Sequence, residues 1–142
     1  MTITIRPARA DDEARCLELL SMLRGEEPKP EWATVFRQLV TRERGQILVA
    51  DEDGFLLGSA AVTFNIAMRF GGEYCQLEEL IVAPEARGKK LGVRLLEATI
   101  DEARKRGCAE IGLYLVDWSV GNKPFYESFG LKTVGDEMRM AL

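Results

Sequence analysis

A chain of 142 residues, 46% of them apolar, has enough material to bury one real core and none left over for a second domain, so a single domain over 1–142 is expected. Its formal charge of −4 excludes the global positive field that non-specific binding of nucleic acid or an anionic membrane requires. Histidine is absent, which excludes Ser-His-Asp and Cys-His catalysis and imidazole zinc sites; any proton carrier must be Glu, Asp, Tyr, Cys or Lys.

Thr2 to Arg6 alternates β-branched residues and predicts a short strand closed by Pro7. Asp11 or Asp12 can then cap a helix through about Arg24, with Cys16, Leu17, Leu20 and Leu23 as its buried stripe. Gly25 to Pro30 is a breaker-rich loop, and Trp32, Val35, Phe36, Leu39 and Val40 mark a second amphipathic helix. Gln46 to Ala50 and Phe55 to Phe64 read as an antiparallel pair joined by Asp51-Glu-Asp-Gly54. Another strand runs from Tyr74 to Val82. Leu91 to Arg106 is a helix with Leu91, Leu95, Leu96, Thr99, Ile100 and Ala103 inward, stopped by Gly107. Ile111 to Val116 is strand-like, Asn122 to Phe129 a short helix, and Leu131 to Leu142 a last strand with Met138, Met140 and Leu142 alternating. The order predicts an α/β (α+β) fold on a mixed, mostly antiparallel sheet.

Cys16, Cys75 and Cys108 are odd in number and lack any C-x-x-C spacing, which suits a reducing interior and predicts a cytoplasmic protein. The opening residues carry no apolar signal core, and no window approaches the ~18 apolar residues of a membrane span. Neither nucleic acid nor membrane is expected as a partner, and no metal.

The stretch from Leu80 to Leu96 carries the chemistry. An apolar strand turns into a helix whose start holds Arg87, Gly88, Lys89, Lys90, Leu91 and Gly92. Unpartnered N–H groups and the macrodipole make such a helix start an anion seat, and the glycines let a diphosphate approach. Taken alone, the loop is as compatible with an ordinary basic helix start. It is not a P-loop, because no Ser or Thr follows Gly-Lys, and not a dinucleotide fingerprint, because the repeated βαβ halves are missing.

Together with Ile81-Val-Ala-Pro84 before it and Phe125-Tyr-Glu-Ser-Phe-Gly130 after it, Arg87-Gly-Lys-Lys-Leu-Gly92 resembles the signature Arg/Gln-x-x-Gly-x-Gly/Ala of the GNAT N-acetyltransferases. The resemblance covers nearly the whole chain. Lys90 departs from it, standing where the family has its inner glycine. The resemblance implies a six- to seven-stranded sheet flanked by four helices, splayed between the fourth and fifth strands. It implies acetyl-CoA as the donor, its diphosphate on the amides of residues 87 to 92 and its pantetheine arm beside Leu80, Ile81 and Val82. A bulge in that strand is implied as well.

Glu78 and Glu79 precede this segment, with side chains on opposite faces unless a bulge intervenes; either is a candidate base for the ammonium, or a solvated edge residue or arginine partner. Tyr126 stands at the family's general-acid tyrosine, or is a core aromatic with a satisfied hydroxyl. Asn122 matches a family asparagine that bonds the donor's arm, or caps the short helix; Ser119 is the other position for that role. Trp32, Phe36, Met68 and Phe70 are candidates for the acceptor site, or are core or dimer contacts. Cys75 and Cys108 read as buried apolar residues, and with no activated nucleophile evident, direct transfer is favoured. The segment Glu78 to Gly88 is also similar to small aminoalkylphosphonate N-acetyltransferases, which favours a small polar amine as acceptor. A homodimer is a separate expectation. The alternatives are a protein or peptide N-acetyltransferase and a catalytically silent acyl-CoA-binding regulatory module.

Overall fold

The run Ile47-Leu-Val-Ala50 is apolar on both faces of its strand, and the fold covers both. In the computed structural model, which describes residues 2–142, this run lies in β2 (Gly45–Glu52), between β1 (Ile3–Pro7) and β3 (Phe55–Ala67). Ile47 and Val49 point into a cluster with Cys16 and Leu19 of α1 (Glu13–Arg24) and Phe36 of α2 (Pro30–Val40). Leu48 and Ala50 point the other way, into a cluster with Leu91, Leu95, Leu96 and Ala103 of α3 (Leu91–Arg106). The sheet is therefore sandwiched between two helix layers. Among the described residues, no helix is long and apolar enough to cross a membrane.

β4 (Gly72–Val82) pairs antiparallel with β3, and β5 (Ile111–Leu113) joins β4 in parallel, giving a five-stranded sheet in the order β1-β2-β3-β4-β5. α3 lies in the crossover that a parallel pair requires. α4 (Lys123–Glu127) follows a 3₁₀ turn over Asp117–Asn122.

Two expected strands differ from what forms. β5 ends at Leu113 instead of Val116, because its ladder stops at Leu77↔Leu113, one residue before β4 bulges. The last strand, Leu131 to Leu142, does not form, and the sheet has five strands instead of six or seven. The alternation of Met138, Met140 and Leu142 is strand-like, but a strand needs an edge to pair with, and β5 offers only three residues. The tail from Lys132 onward is exposed throughout.

Arg6 ties the N-terminal elements together. Its guanidinium donates two bonds to the Asp12 carboxylate (2.8 and 3.1 Å) and one to Asp51 (3.0 Å). The bidentate guanidinium bond, with the Arg9 N–H at 2.7 Å, holds the Asp12 carboxyl below its ordinary range.

At Gly58 the backbone of β4 leaves no room for a side chain on β3. A Cβ there would stand 2.6 Å from the Ile81 carbonyl oxygen and 3.2 Å from Cδ1 of Leu95. Backbone on one side and a fully buried leucine on the other leave no room to yield. Gly58→Ala is expected to cost about 1–3 kcal/mol, read as a lower urea midpoint. An unchanged midpoint would show that the strands separate freely here.

Candidate active site

The site is built on one irregularity in β4. Ala61 of β3 faces Glu79 and its neighbour Val62 faces Leu77, so Glu78 is an extra residue, a β-bulge. The bulge reverses the alternation of the strand. Before it, Cys75 and Leu77 point under α3; after it, Ile81 and Ala83 point under α1 and α2. Glu78 and Glu79, which a regular strand would send to opposite faces, thus both open onto the α1/α2 side.

The same irregularity ends the pairing with β5. From Glu78 to Val82 the β5-facing edge of β4 has no strand partner. Beside this edge lies a slot of about 420 Å³, walled by Leu80, Ile81, Val82, Arg87, Gly92 and Tyr126, with Met22 and Leu23 contributed by α1. A second cavity, about 710 Å³, lies between α1, α2 and the segment after β5 and contains Glu78 and Glu79 in its wall. Leu80, Ile81, Asn122 and Tyr126 line both, so the two cavities meet there.

Glu79 is half-buried, and its carboxyl is pushed up to about 7, mainly by burial and then by the adjacent Glu78 charge, with Arg24 pulling the other way. Glu78 is exposed and accepts a 2.6 Å bond from the Thr63 hydroxyl. Among the described residues, neither carboxylate has an arginine or lysine within ion-pair distance. Tyr126 sits edge-on to Phe125 at 5.2 Å, and burial raises its phenol above the ordinary value, keeping it neutral. Asn122 occupies the N-cap of α4 but its side chain makes no capping bond, which leaves it free to face the cavities. Ser119 lines the larger cavity and donates its hydroxyl to the Val116 carbonyl (3.0 Å).

At the far end of the slot, α3 begins with no side-chain cap, so its first N–H groups stay unpartnered. Arg87, Gly88, Lys89 and Lys90 are exposed around them, while the Leu91 side chain is buried in the core and leaves only its backbone to the turn. Lys89 reaches Glu52 at 3.7 Å. Gly88 and Lys90 both have positive φ, +88° and +57°. Lys90 thus adopts the left-handed conformation usual for glycine, at a cost of about 1–2 kcal/mol. Lys90→Gly relieves this strain but loosens the unfolded chain. A net gain of about 0.5–1 kcal/mol is expected in the urea midpoint, and a loss would mean the lysine is held there by favourable contacts.

Of the four residues expected near the acceptor, Trp32 and Phe36 line the larger cavity. Met68 and Phe70 line neither cavity; they lie on a 3₁₀ turn (Met68–Phe70) past the end of β3, where Met68 is fully exposed. Arg69 stacks on Phe70 and Tyr74, 4.6 and 5.3 Å from their centroids, and lines neither cavity. Sequence reasoning missed Arg24, whose charge acts on Glu79, Thr63, which holds Glu78, and Trp118. The first two are contacts across elements with no short-range signal. Cys16 and Cys75 are pushed up to about 12 by burial, so neither thiol is an activated nucleophile.

A sheet that opens beside its own bulge, with an uncapped, basic helix start at one end of the opening, is the architecture of an acyltransferase domain. The profile of the Acetyltransferase (GNAT) family matches residues 12–131, and the chain belongs to that family. It is 30% identical over 138 residues to an uncharacterized N-acetyltransferase of Methanocaldococcus jannaschii, covering 92% of this chain and 61% of the relative. Against glucosamine 6-phosphate N-acetyltransferase of Arabidopsis thaliana it is 32% identical over 71 residues, 50% of this chain and 46% of the relative. The chain thus spans about half to three-fifths of the length of these curated relatives. The crystal structure of an Arabidopsis thaliana glucosamine-6-phosphate N-acetyltransferase superposes with a TM-score of 0.82 over 99% of both chains at 24% identity, and shares the fold. So does a Bacillus halodurans transcriptional regulator, with a TM-score of 0.88 at 23% identity over 99% of this chain and 100% of that one.

Proposed function

We propose that this domain binds acetyl-CoA in the slot beside β4 and transfers the acetyl group directly to a primary amine of a small molecule held in the larger cavity. The observation that carries the reading is the junction of the two cavities at Leu80, Ile81, Asn122 and Tyr126, with both bulge carboxylates in the acceptor wall. The donor's shape fits the residues present. The unpaired β4 edge from Glu78 to Val82 can bond an amide-bearing arm as a strand would, and the uncapped α3 start with Arg87 can hold a diphosphate. Gly92 stands against Phe125, with space for a Cβ only at van der Waals contact (3.6 Å), so bulk there would press into the wall of the slot.

Bound acetyl-CoA supplies the acetyl group as a thioester. The chain's own groups do the rest. Glu79, with its raised carboxyl, takes a proton from the ammonium near neutral pH, while Glu78 stands beside it in the same wall as a second acceptor for the ammonium N–H groups. Backbone N–H groups along the free β4 edge are donors for the carbonyl oxygen as it gains charge. Tyr126, neutral and at the junction, delivers a proton to the leaving thiolate. Buried cysteines held protonated favour direct transfer over an acyl-enzyme.

Thiol release from acetyl-CoA, screened over amines and peptides and paired with donor affinity by calorimetry, tests the reading. Turnover with small amines supports it. Acetylation of peptides alone would move the acceptor to protein, and donor binding without turnover of any acceptor would make the domain a binding module. Parent-like acetyl-CoA affinity in both Arg87→Ala and Gly92→Asp would misplace the donor slot.

A further inference from the structure

The larger cavity describes the acceptor more closely than its amine. The chain contains two tryptophans, and both line this cavity, Trp32 from α2 and Trp118 from the turn after β5. Tyr114 joins them. Trp118 is 64% exposed, Tyr114 43% and Val35 49%, so the wall presents large apolar surfaces that the fold itself leaves uncovered. Covering such surface with the apolar body of a ligand is favourable, and aromatic pairs add more when stacked or edge-on.

The charges in the wall point the same way. Arg24 and Lys29 converge on Glu26 at 3.3 and 3.6 Å, and Arg139 is bound to Glu137 while lying 5.5 Å from the Tyr114 centroid. Each cation of the wall thus has a carboxylate partner, Arg24 and Lys29 sharing one, and among the described residues none of them stands unpaired to clamp a phosphate or carboxylate. Glu31, Glu78 and Glu79 have no cationic partner among the described residues, and the last two stand where the amine must arrive.

We infer that the acceptor is an arylalkylamine, a primary amine on an aromatic body, seated with its ring between Trp32 and Trp118 and its ammonium on Glu78 and Glu79. This rests on the acetyl-transfer reading above and narrows its acceptor from small amines in general to those with an apolar body. A phosphorylated amino sugar or a free amino acid would bring an anion to a wall whose cations are occupied. A linear polyamine would leave the indoles uncovered.

The test separates binding from turnover. With acetyl-CoA saturating, thiol release is compared for 2-phenylethylamine, putrescine, lysine and glucosamine 6-phosphate. The expected kcat/KM for 2-phenylethylamine is at least about tenfold above the others, the scale of one well-filled aromatic contact. Trp118→Ala is expected to raise KM for 2-phenylethylamine about tenfold with a smaller change in kcat, and Trp118→Phe to recover most of the loss. Since both indoles line the cavity, 2-phenylethylamine should also change the intrinsic tryptophan fluorescence saturably, without any turnover. Preference for putrescine, lysine or glucosamine 6-phosphate overturns the inference and leaves acetyl transfer standing. A saturable fluorescence change with no thiol release from any amine supports the aromatic seat and overturns the transfer reading. Neither signal overturns both.

Discussion

Glu79→Gln is expected to slow acetyl transfer by about 100- to 1,000-fold and, at pH 8, to make the protein harder to unfold. The loss of rate is the usual worth of a positioned general base. Glutamine keeps the shape and polarity of the side chain but cannot accept the proton. In the parent protein, kcat/KM for the amine should rise with pH through an inflection near the carboxyl's value of about 7, and the variant should lose that inflection. The gain in stability has the same origin. Burial raises the folded carboxyl from its ordinary 4.5 to about 7, so the folded state holds the proton more tightly than the unfolded chain. That contribution is complete below pH 4.5 and is lost as pH rises through 7, at a scale of about 1.4 kcal/mol per unit. Glutamine never ionises. The variant should therefore exceed the parent by about 2–3 kcal/mol at pH 8, measured from urea midpoints at pH 5 and pH 8 in both proteins. Parallel loss in parent and variant would place the titrating group elsewhere.

Tyr126→Phe is expected to lower kcat by about 100-fold with little effect on folding. Phenylalanine keeps the edge-on contact with Phe125 and removes only the hydroxyl. Burial holds the phenol above its ordinary value of 10, so it remains a donor throughout the working range and gives no high-pH limb below 10. The defect should shrink with an acetyl donor whose leaving group is less basic and departs without a proton. A full-sized defect with such a donor would make Tyr126 a packing residue.

What the sequence disclosed follows from how local each signal is. The inward face of α3 could be read from spacing because Leu91, Leu95, Leu96, Thr99 and Ala103 are buried by the periodicity of one helix. The α3 start was legible too, since its glycines and cations are contiguous. The bulge was not legible from Glu78-Glu79 alone, because a bulge is a mismatch between two strands and the partner residues, Ala61 and Val62, lie far away in sequence. Only the resemblance implied it. The tail misled for a related reason: Met138, Met140 and Leu142 have the period of a strand, but pairing depends on the length of an edge elsewhere. The aromatic wall assembles from α2 and the turn after β5, so Trp32 could be suspected while Trp118 carried no pattern of its own.

The shortness of the β4–β5 ladder sets how firmly the two sides of the site are joined. Three residue pairs hold β5 to β4, against ten between β3 and β4. Segments with few ladder bonds open at lower free energy than the body they hang from, so amide exchange at Ile111–Leu113 should run ahead of exchange at β3. A donor lodged in the gap would act as the missing stretch of sheet, slowing that exchange by mass action as its concentration rises. Acetyl-CoA would then be a structural strut as well as a reactant, and the region carrying Trp118, Asn122 and Tyr126 would be set in place for the amine only once the donor is in.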